Sequence, residues 1–478
     1  MRLHNQLASD VEKKDEPLQA AFFWLSAFYF VYCARPEDWI PGLNHIPLAK
    51  MTTVCVLIAL TFRSGKPKRS IRNLPLEGYL LIGLVCFLVV TSLFSPVWRG
   101  GALNNSLGFA KVAIAWVATF LVITCLKRLE RIIFIQTASV AAIAVISLVA
   151  GRSSARLGGV LGGIYDNSND LAFAIVLSLP FCFVFLLRGR GLLRKFVWAV
   201  VIITMCAAVF RTASRGGFFE LAITISVCLW HFGVRGKRPQ LILVSFAMGA
   251  VLLVGFGGMV KKRFMAMSGV TRSALDENAY GTYQERRQLM ISSLTTIARY
   301  PFFGIGVQNF VTYSGIWKEV HNCYLQIGAE GGIPSLTLYL LFFACGFSNL
   351  RRLRRLHLNS DIKLFIGALH GSLIGFVVGG FFAPEAYQFF SFLAVAETSV
   401  MWAIVCEQND TPQVLATPRL IRFSVHNARS VLRTGPRGVN QHSASGPAQV
   451  SNLQEMLRKP RRNLPTPRQG AITRRLQT

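Results

Sequence analysis

Three stretches of the chain carry residue types that could grip an anion and move a proton. The first, FRTASRGGFFE from Phe210 to Glu220, sets Arg211 and Arg215 around a turn of small residues. Guanidinium forks match phosphate oxygens in pairs. Gly216 and Gly217 carry no side chain that would hold a ligand off the backbone, and a helix starting there would turn its positive end to an anion. Glu220, five residues beyond Arg215, is placed to orient it. The plainer use of both arginines is to reach lipid headgroups. The second stretch reads YQERRQLMISSLTTIARYPFFGIGVQNF, then HNCYLQIGAEGGIPSL. Arg286 and Arg287 precede an expected amphipathic helix, and PFFGIG is a turn. His321 stands just before another helix that Asn322 could cap. A histidine with its ordinary pKa of about 6.5 suits a general base near neutral pH; it could equally cap or pack at a membrane surface. The third stretch, GGVLGGIYDNSNDLAFAIVLSLP, brings Asp166, Asn169 and Asp170 to the start of an apolar block, as a helix cap or as polar contacts for a sugar.

The elements that must position these residues are membrane spans. Of 478 residues 52% are hydrophobic and only 15% charged, against about 25% charged in a soluble chain. Mean hydropathy is +0.44. Crossing a hydrocarbon layer about 30 Å thick takes about 20 apolar residues in a helix. By that rule about twelve spans are expected, near 18–34, 46–62, 76–94, 106–126, 132–150, 170–187, 196–210, 217–233, 240–260, 332–350, 364–383 and 387–405. The fold class is therefore all-α, polytopic and membrane-embedded. Alternate short connections carry 20 and 6 Lys+Arg. The richer set, which includes 62–73, 188–195 and 351–363, should be cytoplasmic. An even number of spans then leaves both termini in the cytoplasm. The three chemistry-bearing stretches fall together on the outer side, where residues 261–330 form one long periplasmic loop. A connection of that length is expected to be functional or folded in itself.

The formal charge of +29 does not call for nucleic acid, because the basic residues sit in clusters between apolar blocks and in the tail. That is the pattern of oriented spans facing anionic membrane lipid. Among the 10 cysteines there is no CxxC pair, which argues against a zinc site or a disulfide framework. Residues 1–17 form a polar cytoplasmic segment and do not read as a cleavable signal. Residues 18–405 form the transmembrane domain. From 406 to 478 the composition turns to Arg, Pro, Ser, Gln and Asn, as expected of a disordered basic cytoplasmic tail.

Taken together, SRGG, YDNSNDLA, the arginine followed by PFFGIG, HNCYLQIGAEGGIPSL and the early FVYCARPEDWIPGL resemble the O-antigen ligase-related family of lipopolysaccharide O-antigen ligases, O-antigen polymerases and protein O-glycosylation ligases. The resemblance covers roughly residues 20–405. It implies a many-helix membrane glycosyltransferase of the bacterial inner membrane with an outer active site. The implied donor is a glycan on undecaprenyl diphosphate, and the acceptor is lipid A–core, a protein or another glycan. No cofactor or metal is implied. By position, Arg215, Arg286 and His321 match the family's functional arginines and histidine. Where the family often has Trp, four residues after that arginine, this chain has Met290. The chemistry suits the residues. Arginines can take up the charge growing on a departing diphosphate, and a base can remove the proton of the attacking hydroxyl. Polymerase rather than ligase activity remains open. A polysaccharide transporter or flippase is the reading from another class, but such proteins show related halves and mid-membrane ionisable residues. Here only His370 and Glu397 offer themselves, and no halves are evident.

Overall fold

With no water in the hydrocarbon layer, each apolar block must satisfy its own backbone, and the helix is the form that does so within one segment. The computed structural model describes residues 18–62, 69–151, 167–265 and 274–410, with positions 157, 158, 160, 163 and 165 besides. The N-terminal segment, Asp166 and the tail beyond 410 lie outside the described residues. The helices are α1 (Gln19–Ala34), α2 (Leu48–Thr61), α3 (Leu76–Leu93), α4 (Arg99–Val122), α5 (Leu126–Ala150), α6 (Ser168–Arg188), α7 (Leu192–Thr212), α8 (Arg215–Cys228), α9 (Pro239–Met265), α10 (Ala274–Arg299), α11 (Phe310–Tyr313), α12 (Cys323–Arg354), α13 (Ser360–Gly379) and α14 (Phe389–Asp410). A π-helical turn, Leu229–Val234, extends α8. Each of the twelve expected spans coincides with a helix. Among the described residues nine helices are long and apolar enough to cross a membrane. α1 and α2 are shorter, and in α9 the apolar stretch among the described residues is Pro239–Gly255.

Several bounds differ from expectation. The 196–210 block is a full 21-residue helix. α14 runs five residues past 405 because Glu407 pairs with Arg69 at 2.7 Å. Arg69 is 6% exposed and also donates to the carbonyls of Phe120 and Ile123. The long loop is narrower than 261–330 and contains α10, so Arg286 and Arg287 sit inside a helix rather than ahead of one.

α6 and α14 are the most enclosed helices. α6 is ringed by α5, α7, α8 and α13, while α3, α4, α12 and α14 form a second group that α13 joins through α12 and α14. Lipid is as apolar as leucine, so close packing and hydrogen bonds must hold such helices together. Two devices supply them. Gly367, Gly371, Gly375 and Gly379 form a ladder at four-residue spacing along α13. A Cβ on them would meet Phe232 at 3.0 Å, Cys228 Sγ at 3.2 Å, Thr224 Oγ1 at 2.6 Å and Glu220 Cδ at 2.6 Å. α8 is thereby seated almost backbone to backbone on α13. Elsewhere aromatic rings interlock, with Phe343 stacked on Phe376 at 4.1 Å. Buried Glu77 accepts from Asn349 and Ser399, tying α3 to α12 and α14.

Candidate functional site

The turn between α7 and α8 is built by Ala213, in a left-handed conformation (φ 47), and by Ser214. Ser214 Oγ accepts the Gly217 N–H at 3.1 Å and donates to Asn169 Oδ1 at 2.8 Å. The SRGG turn is thus fastened to the start of α6. The two glycines do not leave space for a ligand: a Cβ on Gly216 would collide with Phe382, and one on Gly217 would lie 2.8 Å from Ala172. They are small so that α8 can begin in contact with α6 and the 380–383 loop. The N-terminal N–H of Gly217 is already taken by Ser214 and is not offered to an anion. Arg211 closes α7, and its carbonyl accepts the Leu157 N–H at 3.1 Å.

Arg215 leads α8, half-buried, with Nη1 enclosed and meeting no hydrogen-bond acceptor among the described residues. Arg286, on α10, is also half-buried, and its Nε is likewise enclosed without an acceptor among the described residues. Burial disfavours the charge on Arg286, and next the like charge of Arg215 does so. Two guanidiniums from segments seventy residues apart are therefore near enough for one charge to bear on the other. Arg287 points outward and is exposed. Met290, in place of the family's Trp, is 47% exposed, so the change empties no packed site. Glu220 does not orient Arg215. It is 2% exposed and packs against Gly379, and the charge it faces is Glu385. Among the described residues no ion pair joins Glu220 to an arginine.

His321 is half-buried at the foot of α12. Asn322 caps that helix, its Oδ1 accepting the N–H groups of Tyr324 and Leu325 at 3.0 Å. The Cys323 N–H binds the Gly380 carbonyl at 2.8 Å. The same short loop puts Phe382 against Gly216, beside Arg215. Lys318 pairs with Glu285, next to Arg286. The chain on either side of His321 is thus tied to the 380–383 loop and to α10. PFFGIG docks on a break in α12: the N–H groups of Ile305 and Gly306 bind the carbonyls of Ala329 and Glu330. Gly332 interrupts the helix with φ 75 and ψ 178. A Cβ there would strike the Phe302 carbonyl, so only glycine fits.

Carboxyl groups that sequence reasoning passed over gather at this end. Glu385 shares a hydrogen bond with Asp170, and burial first, then Asp170 and Glu319, push it well above the usual carboxyl range. Burial also raises Glu319, two residues before His321. Tyr387 faces the Glu330 carboxyl. The residues stand in EAYQ and KEVHN, but nothing local in either stretch marks its carboxyl as buried. The cavity beside Asp170 and Glu385, about 20 Å³, has room for one water and none for a sugar ring. Asn169 and Asp170 consequently serve Ser214 and Glu385. Asp166 lies outside the described residues, and among those described no group of His, Cys, Asp and Glu could hold a metal ion.

No curated protein matches the chain. A chain in a solved structure of a peptidoglycan synthase complex, described as showing structural coordination of polymerization and crosslinking, superposes on 70% of this chain and 98% of its own. Its identity is 16% and its TM-score 0.38. Residues 200–340, which hold the SRGG turn, α10, PFFGIG and His321, match the family described as O-antigen ligase. That match marks an O-antigen ligase domain in this multi-pass helical chain and supports its place in the O-antigen ligase-related family.

Proposed function

We propose that the protein is a membrane glycosyltransferase of O-antigen ligase type, moving a glycan from undecaprenyl diphosphate to an acceptor hydroxyl on the periplasmic face. The observation that carries this reading is the pair Arg215 and Arg286, two like charges near enough to repel, with enclosed N–H groups that meet no acceptor among the described residues. Such a pair is costly unless an anion completes it. A diphosphate supplies several acceptor oxygens and two or more negative charges, and its charge grows as the glycosyl bond breaks. Fixed guanidiniums answer that growth without reorganising.

In the step itself the acceptor oxygen bonds to the anomeric carbon. The bond from that carbon to the diphosphate oxygen breaks, and its electron pair leaves with the diphosphate. The hydroxyl proton passes to His321, a role supported by its neighbours in sequence: Lys318 pairs with Glu285, next to Arg286, and the Cys323 N–H binds the Gly380 carbonyl. Arg215→Lys and Arg286→Lys keep charge but lose the planar fork. Each should slow transfer of a lipid-linked glycan by about 10²-fold or more, and His321→Ala by about 10²–10⁴-fold, with the protein still inserted. Transfer at the parent rate by inserted Arg215→Lys or His321→Ala protein refutes the assignment. Reporter fusions at Lys237 and near Asp276 test the sidedness: cytoplasm for the first, periplasm for the second.

A further inference from the structure

At the opposite end of α8 the chain builds a second basic cavity. His231 lies sixteen residues after Arg215, roughly 24 Å away along the helix. Here α8 passes into its π-helical turn, Leu229–Val234. Widened turns of this kind recur at functional sites because they re-aim side chains. The turn and its flank line a cavity of about 320 Å³ with Trp230, His231 and Arg235, and α12 and α13 add Arg354 and His370. An Arg354 N–H donates to His231 Nε2 at 2.9 Å, and His370 Nδ1 lies 3.0 Å from the same nitrogen. An arginine can only donate, so His231 accepts there, and His370 must supply its N–H to share that nitrogen. Arg235 stands over the Trp230 ring at 5.7 Å.

The charge that bears on Arg354 is that of Arg235, and among the described residues neither arginine has a carboxylate partner. Ordinary cytoplasmic-side arginines do not need a cavity. Two of them here, Arg69 and Arg188, are instead neutralised by Glu407, Glu130 and Asp361. The Arg235–Arg354 pair converges on an open space, backed by imidazoles and bounded by an exposed Trp, at the level where a span leaves the hydrocarbon.

We propose that this cavity binds a phosphate-bearing anion, its phosphate oxygens held by Arg235 and Arg354. This site is separate from the one assigned to transfer and does not rest on that assignment. The ligand's phosphate could belong to an anionic lipid headgroup or be free. The full chain, purified in a neutral detergent, is titrated with short-chain phosphatidylglycerol, with inorganic phosphate and with short-chain diacylglycerol, and the unfolding midpoint is followed. Arg235→Gln and Arg354→Gln should each weaken the stabilising ligand about tenfold, as expected for one charge-assisted bond. Both arginines are exposed, so the variants keep the fold. Arg351→Gln and Arg355→Gln, basic neighbours that do not line the cavity, should leave the titration unchanged. Stabilisation by phosphatidylglycerol alone identifies a headgroup; stabilisation by inorganic phosphate, displaced in the same two variants, identifies the free anion. The proposal is overturned if neither phosphate compound shifts the midpoint, if diacylglycerol shifts it equally, or if the shift survives in the Arg235→Gln/Arg354→Gln double variant.

Discussion

Arg286→Gln separates a structural arginine from one built for an anion. In the absence of ligand, Arg286 is half-buried, repelled by Arg215, and keeps an enclosed Nε–H that meets no acceptor among the described residues. An enclosed donor without a partner costs about 1–3 kcal/mol. Repulsion between partly solvated like charges adds about 1 kcal/mol at most after screening. Glutamine removes the charge and shortens the chain, giving back about 1 kcal/mol of packing. The ligand-free variant should therefore be as stable as the parent or more so by about 1–2 kcal/mol, a rise of a few degrees in the unfolding midpoint. Inorganic pyrophosphate, used as a stand-in for the donor's diphosphate, reverses the order. At about ten times its Kd it stabilises the parent by about 1.4 kcal/mol. Loss of one charge-assisted bond raises Kd about tenfold or more, which cuts that gain to about 0.4 kcal/mol or less. Midpoints in neutral detergent, with and without pyrophosphate, read both effects. A variant less stable than the parent without ligand, yet shifted by pyrophosphate to the same extent, would sink the anion-site argument.

Glu220→Gln should leave glycan transfer at the parent rate, because the carboxyl faces Gly379 and Glu385 rather than Arg215; a loss matching that of Arg215→Lys would restore a pairing role. Glu385 holds its proton more tightly folded than unfolded. Its contribution to stability is full below the unfolded carboxyl range near pH 4 and falls as pH rises toward the raised folded value. Glu385→Gln should accordingly flatten the decline in midpoint between pH 5 and pH 8, and an unchanged slope would exclude Glu385 as its source. Gly375→Leu drives a side chain toward Thr224 Oγ1, 2.6 Å from the Cβ position. It should cost about 1–3 kcal/mol or more, seen as lost yield of folded protein. Gly249→Leu, where nothing lies within 4 Å of the added carbon, should be silent.

Apolar length carries its information locally, which is why every helix that could be a span was legible in the sequence. The pairing of Arg215 with Arg286 was legible only as a shared side of the membrane; their nearness depends on how α10 packs against α12. Glu220 was misread because sequence spacing put it near Arg215, whereas a helix carries a residue five positions on to another face. Around Gly216 and Gly217 nothing local in the sequence shows that Phe382 and Ala172 fill the space their missing side chains leave. The α13 ladder was readable, as glycines at four-residue spacing in an apolar block are a known packing signal, and it went unread. The extent of α10 escaped because its composition has no apolar face strong enough to mark where it begins.

Phe382, seated on Gly216, also bears on how the protein is made. The chain emerges from the ribosome in order, and α8 is complete at Cys228, more than 150 residues before Phe382 is translated. Until the hairpin of α13 and α14 follows, the flat start of α8 has no cover, its ladder partner is missing and Glu220 faces lipid instead of Gly379. A carboxyl exposed to lipid is expensive, so nascent α8 must be sheltered by α6, already inserted, or by the insertion machinery itself. If the proposed transfer reading holds, a chain stopped anywhere between α9 and α12 contains Arg215 but lacks Phe382 and the α13 ladder that seat it, and should be inactive. Completion of the last hairpin becomes the step at which assembly and competence coincide.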